Sequence, residues 1–362
     1  MSYLETFFIE RNLSKATIKQ YRTSWKQYCQ CNDGLTVEQL LKEADEEEEQ
    51  GIRMKKRTLK TRLTNFRTCL IEQGNSKNSI INKMNQVKAV YRHYEIEIPQ
   101  LPYLSDKNLR KQVPITYDDL PTKSIIREAL DFGTQLTRSF ILLQVSSGMG
   151  RAECLSLSIY DFLISTGYYD ENKSIREMLV EMYRADTLII PTFKLKRQKV
   201  NEYYYTFCSA EATTEIVKYL LNRNDDLKLD SKLFKVGGNY INELYSQIND
   251  VLGLGKVGNY NVFRTHMLRK FNATALTTGE NALSEEEVDF LQGRSRGKIR
   301  ETYMKKNPLL LKEKYIKCMD NVLINYESKV IRSKLQAFER NEAKFDKLLE
   351  LVRVFDVKVE DL

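Results

Sequence analysis

Apolar residues recur at helical spacing through the first hundred positions of the chain. Leu59, Leu63, Phe66 and Leu70 are four, three and four residues apart, and this spacing places side chains on one face of an α-helix. Ser14 is a residue of the N-cap type and precedes another helix-patterned stretch. We therefore expect the N-terminal part of the chain to be a small bundle of helices.

The prolines suggest where the chain is divided. Four of the six prolines lie between positions 99 and 121, and none precedes them. A proline cluster after a proline-free, helix-patterned stretch is typical of a linker. The expected organisation is a helical domain at 1–97, a linker at 98–113, a second domain at 114–325 and a helical extension at 326–362.

The second domain has a mixed pattern. Helix-patterned stretches surround two β-rich runs between positions 187 and 208, which are separated by a polar, basic turn. The extension mixes apolar residues with dense charge, as in an amphipathic helix that packs on its own second domain or on another copy of the chain. The expected fold class is mostly α with a small β-sheet, and the second domain is expected to be α+β.

The charge balance is basic without being extreme. Lys and Arg number 57 against 49 Asp and Glu, a net charge of +8, which hints at a polyanionic partner. Two histidines and scattered cysteines make a metal centre hard to build, so no metal or cofactor is expected. The six cysteines are expected to be free thiols of a reducing compartment.

Targeting and membrane segments are not expected. No apolar run approaches the roughly 18 residues that would indicate a membrane-spanning helix. Glu5 stands where a signal peptide needs positive charge, and the apolar run beside it is short. We therefore expect a cytoplasmic protein with no membrane partner.

A basic stretch without acidic residues runs from position 53 to 67. Lys56, Lys60 and Arg67 lie on a similar helical face, away from the apolar stripe, and phosphate contacts need such a cationic surface on a rigid element. The alternative is a solvated helix face. The acidic run at 43–49 would repel DNA and is expected to point away from it. The candidate DNA-binding residues are Lys55, Lys56, Arg57, Lys60, Arg62 and Arg67.

The sequence GLGKVG at 253–258 matches the GxGxxG pattern of dinucleotide sites. Such a site needs a strand before it and a helix that opens within it, whereas the preceding residues here are helix-patterned. We therefore expect a loop between helices.

The second domain also holds a dispersed set of residues suited to phosphate chemistry. The first is an Arg after SSGMG at an expected helix start, and the second is a Lys in the basic turn. An H-x-x-R motif comes next, and an Arg and a Tyr nine residues apart complete the set. In chain order these residues are Arg151, Lys199, His266, Arg269, Arg294 and Tyr303.

This order resembles that of the tyrosine recombinase (phage integrase) family. That family carries an Arg, a Lys on a β-hairpin turn, H-x-x-R, a His or Trp, and a nucleophilic Tyr. The stretches RNLSKATIKQYRTSWKQY, ECLSLSIYDF and TFCSAEATTEIVKYL also look like segments of the family, so the resemblance covers nearly the whole chain. It implies a helical, SAM-like core-binding domain, an α+β catalytic domain, and association with the nucleoid. The implied partners are double-stranded DNA with specific recombination sites and a homotetramer on that DNA.

Two positions depart from the family pattern. The family usually shows G-x-R-x-x-E, whereas Arg151 is one residue closer to Glu153. The position that is usually His or Trp is Arg294, which can donate to a phosphate oxygen but cannot act as a base near neutral pH. His266 is then the only imidazole for the site, because His93 lies in the other domain.

The resemblance implies roles for the remaining residues. Arg151 and Arg269 would hold the non-bridging oxygens of a DNA phosphodiester. Tyr303 would attack phosphorus, and His266 would accept its proton or hold the phosphate. Lys199 would protonate the leaving 5′-oxygen. The implied reaction is DNA strand transfer through a 3′-phosphotyrosine and a Holliday junction, without ATP or metal.

Several biological roles are compatible with this chemistry. The leading expectation is the integrase of a mobile element. A chromosome-dimer resolvase and a type IB-like topoisomerase use the same chemistry and stay open as alternatives. A DNA-binding relative that has lost cleavage also stays open, because Arg151 is shifted.

Overall fold

In the computed structural model, the chain is described over residues 2–105, 107, 109, 113–197, 202–294 and 307–325. It divides into two compact units, Met1–Pro114 and Ile115–Leu362. The helices of the first unit are α1 (Tyr3–Glu10), α2 (Lys15–Gln30), α3 (Val37–Glu49), α4 (Thr58–Glu72) and α5 (Lys77–His93).

The core of the first unit follows the apolar pattern of the sequence. All four residues of the stripe from Leu59 to Leu70 are buried on α4. Ser14 accepts a hydrogen bond from the Thr17 N–H and caps α2 as expected. Buried aromatic side chains complete this core, and the hydroxyls of Tyr28 and Tyr91 lie 3.1 Å apart. The prediction of a small helical bundle is confirmed.

Part of the segment expected to be a linker packs on this bundle. Ile98, Leu101 and Leu104 contact its core, and Arg67 donates from Nη1 to the carbonyl oxygen of Pro102 at 2.6 Å. Burial of apolar side chains favours a fixed path for residues 98–104 along the first unit.

Two cysteines of the first unit form a disulfide. Cys31 is the residue after α2, Cys69 lies on α4, and their Cα atoms are 6.2 Å apart. The expectation of six free thiols is therefore wrong for this pair. Its physical reason is the packing of α4 against the end of α2, which brings together two cysteines 38 residues apart.

The second unit is built around one buried helix. Its first helices are α6 (Lys123–Asp131), α7 (Gln135–Ser147), α8 (Arg151–Ser156), α9 (Ile159–Thr166) and α10 (Ile175–Arg184). They are followed by α11 (Ala210–Leu221), α12 (Gly238–Val251), α13 (Thr265–Thr278), α14 (Glu285–Leu291) and α15 (Pro308–Cys318). Every residue of α7 from Ser139 to its end is buried, and α11 and α13 pack against it. A helix that is buried on all sides forms the centre of a core.

Two short antiparallel hairpins accompany these helices. Strands β1 (Thr192–Arg197) and β2 (Glu202–Phe207) pair with Leu195 opposite Tyr204, on either side of the expected basic turn. Strands β3 (Lys256–Val257) and β4 (Tyr260–Asn261) lie in the glycine-containing loop after α12. The predictions of a mostly helical chain with a small β-sheet and of a loop at 253–258 are confirmed.

The described chain ends against α11. Glu211 accepts hydrogen bonds from the N–H groups of Ile324 and Asn325 at 3.0 and 3.1 Å. Arg127 donates to the carbonyl oxygen of Ile324 at 2.6 Å. The predicted extension at 326–362 lies outside the described residues. In the part of the chain that is described, no helix has the length and apolar character needed to cross a membrane.

Candidate functional site

The C-terminal end of α7 is capped by side chains from three other elements. The last carbonyl groups of a helix have no partner within it, and here those of 145–148 all find one. Asn272 of α13 donates to the carbonyl oxygens of 145 and 146 at 2.9 and 3.0 Å, and Tyr315 of α15 also donates to that of 146. Thr206 of β2 donates to the carbonyl oxygen of 147, and Arg269 of α13 donates to that of 148, each at 2.9 Å. These contacts fix α13 and the hairpin against the end of α7.

Gly148 makes this close approach possible. Its φ is +66°, in the left-handed region that favours glycine. A Cβ at this position would overlap Oδ1 of Asn272 and would lie 2.7 Å from Nε2 of Gln292. The turn after α7 is therefore restricted to glycine by its backbone and by its neighbours.

Arg269 is the cation at the centre of this arrangement. Besides Gly148, its guanidinium contacts the Glu153 carboxylate at 3.3 Å and the carbonyl oxygen of Gln292. Gln292 returns a hydrogen bond of 3.1 Å to the Arg269 carbonyl. Burial lowers the pKa of Arg269, the neighbouring Glu153 opposes that change, and an arginine stays protonated in a protein. Arg269 is thus a fixed positive charge.

Glu153 links this cation to the start of α8. Its Oε2 accepts the N–H of Gly150 at 2.6 Å, which caps the helix that begins at Arg151. The expected helix start at Arg151 is confirmed. Glu153 therefore ties the α8 N-terminus to α13 through Arg269.

Arg151 itself has partners on a different helix. Its Nη1 donates to the Gly238 carbonyl at 3.2 Å and to Oδ1 of Asn242, both on α12. A Cβ on Gly150, in contrast, would lie 3.2 Å from Oε2 of Glu153 and 3.8 Å from Nη1 of Arg269. The two arginines of the expected clamp thus bond to different elements.

His266 lies on the first turn of α13, three residues before Arg269. Side chains at this spacing are neighbours on the surface of a helix. Its side chain is exposed. Partial loss of hydration lowers the pKa of His266, and the positive charges of Arg264, Lys270, Arg269 and Arg294 lower it further. A neutral imidazole near pH 7 can accept a proton.

The structure brings Arg294 into the same electrostatic environment. It follows α14, is 42% exposed, and its Nη1 lies 3.4 Å from Asp289. Its charge acts on both His266 and Arg269. His266, Arg269 and Arg294 therefore lie within electrostatic range of one another. Lys199 and Tyr303 lie outside the described residues.

Sequence reasoning missed Arg264, the residue at the start of α13. Its guanidinium lies 4.2 Å from the centre of the Tyr260 ring, and its buried Nε has no hydrogen-bond partner among the residues that the structure describes. Its charge is the largest of those that lower the pKa of His266. The available signal was its position two residues before His266.

The basic and acidic runs of the first unit contact each other. Arg62 pairs with Glu43 at 3.2 Å and with Asp33 at 3.0 Å, and Arg57 pairs with Glu48 at 3.1 Å. The acidic run therefore lies beside the basic run, because α3 packs beside α4, and its expected direction away from a DNA duplex stays a prediction. Arg67 bonds to Pro102, whereas Lys55 and Lys56 are exposed and Lys60 is partly exposed.

A second cationic group of the first unit escaped the sequence reasoning. Burial lowers the pKa of Lys88 on α5, and the charges of Arg92 and Arg67 lower it further. Like charges held together are unfavourable unless an anion approaches. Lys88 and Arg92 are therefore additional candidates for phosphate contact, beside Arg67, which the sequence already indicates.

No protein-family profile and no curated protein sequence matches the chain. Solved structures of tyrosine recombinases and integrases do match it over most of its length. The Tn1549 transposon integrase in complex with transposon right end DNA has 14% identity and a TM-score of 0.48, over 84% of this chain and 94% of that one. The XerH site-specific recombinase bound to palindromic difH has 17% identity and a TM-score of 0.49, over 86% of this chain and 83% of that one. The integrase from mycobacterium phage Brujita has 13% identity and a TM-score of 0.37, over 90% of this chain and 94% of that one. The likeness is one of fold.

Proposed function

We propose that the chain is a site-specific DNA strand-transferase of the tyrosine recombinase type. The observation that carries the proposal is the grouping of a low-pKa His266 with Arg269 and Arg294 beside the capped end of α7. Fixed cations of this kind stabilise the charge that develops on a phosphodiester under attack. A neutral imidazole among them can take up a proton.

The proposed step is a transesterification at phosphorus. The Tyr303 oxygen forms a bond to phosphorus while the bond to the 5′-oxygen breaks, and a 3′-phosphotyrosine results. His266 accepts the phenolic proton, and Lys199 gives a proton to the 5′-oxygen. Arg151, Arg269 and Arg294 hold the non-bridging oxygens. The energy of the broken bond is kept in the new one, so the reaction needs no ATP, and the arginine side chains supply the positive charge that a metal ion would otherwise provide.

The assembly proposed for this reaction is a homotetramer that joins two DNA duplexes through a Holliday junction. The proposed biological role is integration of a mobile element. Chromosome-dimer resolution and type IB-like relaxation of supercoils use the same chemistry and differ in their DNA products.

The test is to trap the covalent intermediate. The purified chain is incubated in EDTA with genomic DNA that carries random nicks, and SDS-resistant protein–DNA adducts are recovered and sequenced. Tyr303→Phe should remove the adduct and leave DNA binding intact. Tyr183→Phe, at an exposed tyrosine of α10, is the matched control and should keep it. An adduct with Tyr303→Phe would show that another residue is the nucleophile.

The joined sequences separate the roles. Joints between element ends and chromosome indicate an integrase, and joints between identical chromosomal sites indicate a resolvase. Relaxation of any plasmid without a defined site indicates a topoisomerase.

A second function, DNA binding without cleavage, is favoured by the bonds of Arg151 to α12. In that case the wild-type chain binds DNA and gives no adduct. Gly150→Arg would direct a guanidinium toward Arg269 and Glu153 and should then restore the adduct. If the chain is a strand-transferase, the wild type gives the adduct, and Arg151→Ala reduces it.

A further inference from the structure

Tyr204 lies where the β1–β2 hairpin meets the Arg269–Glu153 pair. The side chain is only 5% exposed. Its hydroxyl is buried, and within the described residues it has no hydrogen-bond partner. A buried hydroxyl without a partner is unfavourable, and a phenylalanine at the same position would avoid that cost.

The surroundings of this hydroxyl identify a partner. Burial raises the pKa of Tyr204, the negative charge of Glu153 raises it further, and Arg269 acts in the opposite direction. The hydroxyl is therefore within interaction range of the carboxylate that already accepts from Arg269 and from the Gly150 N–H. A hydrogen bond from Tyr204 to Glu153 would satisfy the buried hydroxyl.

The Tyr204 ring also supports the loop that carries Arg294. Gly293 has a φ of +58°, and a Cβ on it would lie 2.8–2.9 Å from three atoms of the ring. That distance is too short for any real Cβ contact, so the loop rests directly on the ring. One side chain thus contacts the loop of Arg294 and is within interaction range of the carboxylate that holds Arg269.

We propose that Tyr204 is a positioning residue of the strand-transfer site, whose hydroxyl donates to Glu153 when the hairpin engages DNA and so fixes Arg269. The inference rests on the proposed function. In this arrangement the β1–β2 hairpin, between whose strands Lys199 lies in the sequence, directly affects the orientation of Arg269. Tyr204 touches neither the phosphate nor the nucleophile in this role.

The experiment compares Tyr204→Phe, Glu153→Gln and the double variant in single-turnover adduct formation on the nicked genomic DNA. Tyr204→Phe keeps the ring under Gly293 and removes only the hydroxyl. We expect it to slow adduct formation by about tenfold, as is common when a supporting hydrogen bond is removed. DNA affinity should stay within about twofold and Tm should not fall, because the hydroxyl has no hydrogen-bond partner among the described residues. Tyr205→Phe, the neighbouring strand residue, is the control and should behave as wild type.

The double variant tests the coupling. Glu153→Gln should have less effect on the rate in the Tyr204→Phe background than in the wild type, because both act on one chain of contacts. A Tyr204→Phe rate equal to wild type overturns the proposal, and so do rate effects that multiply independently. If the wild type itself forms no adduct, the proposed function is wrong. The coupling is then measured as the Tm effect of Glu153→Gln with and without Tyr204→Phe in the presence of duplex DNA, and equal effects overturn it.

Discussion

Arg269 donates a hydrogen bond of 2.9 Å from Nη1 to the carbonyl oxygen of Gly148, the residue that ends α7. The C-terminal end of a helix is the negative end of its dipole, so a fixed cation is stabilised there. The same guanidinium contacts Glu153 and Gln292. Arg269, which is assigned to the phosphate, thus also stabilises the fold. Its removal would change activity and stability at the same time. The turn at Gly148 can be tested separately.

Gly148→Ala should lower the free energy of unfolding of the second unit by about 3 kcal/mol. This figure is the sum of the cost of an alanine in the left-handed region and the cost of a packing conflict. The physical reason is the overlap of the new Cβ with Asn272. Gly167→Ala is the matched control, because Gly167 ends α9 with a φ of +77° and has open space around it. It should cost only about 1 kcal/mol. Urea unfolding measures the free energy of unfolding of both variants. Equal losses would show that the Asn272 side chain moves away from the new Cβ at little cost.

The pH dependence of adduct formation should reflect His266. Its pKa is lowered by loss of hydration and by neighbouring cations, so the imidazole stays neutral to a pH below its usual range. The rate should therefore fall only as the solution becomes more acidic than the ordinary histidine pKa of about 6.5. Lys270→Met removes a positive charge, which should raise the pKa and move this acid limb to higher pH.

Proton NMR follows the same titration without DNA. The chain has two histidines, and His93 is distinguished by His93→Gln. Lys270→Arg keeps the charge and should leave the His266 titration in place. An unchanged titration in Lys270→Met would show that this lysine does not act on the imidazole.

The site was predictable where it depends on local spacing and unpredictable where it depends on packing. His266 and Arg269 are three residues apart on one helix, so their proximity follows from sequence. The direction of Arg151 depends on where α12 packs, and the role of Gly148 depends on Asn272, 124 positions later. In the first unit the apolar stripe of α4 was predictable. The pairing of Arg62 with Glu43 was not, because charge patterns do not reveal which helices become neighbours.

This pairing separates stabilising cations from DNA-binding ones. Arg62→Ala breaks contacts with Glu43 and Asp33 at a site where the arginine side chain is 19% exposed. It should lower the free energy of unfolding by about 1–2 kcal/mol. Lys55→Ala with Lys56→Ala should change stability by less than about 0.5 kcal/mol, because both side chains are exposed.

The same two lysines should matter for DNA. Removing one lysine–phosphate interaction lowers the slope of log affinity against log salt by about 0.9, so the double variant should bind a random duplex more weakly and with a slope lower by one to two. Fluorescence anisotropy at several salt concentrations measures this. An Arg62→Ala variant that keeps its stability and binds DNA more weakly would reverse the assignment.

The Cys31–Cys69 disulfide should be a large contributor to the stability of the first unit. It closes a loop between residues 38 apart in sequence, for which the chain-entropy model gives about 4 kcal/mol. Cys31→Ser, Cys69→Ser or a reductant should therefore lower the urea midpoint by similar amounts. Cys29→Ser, at a free cysteine nearby in sequence, is the control and should keep the sensitivity to reductant.

Alkylation of the denatured, unreduced chain should add four labels, at the free cysteines of the fold, and six after reduction. Six labels without reductant would show that the two sulfurs are not bonded in solution.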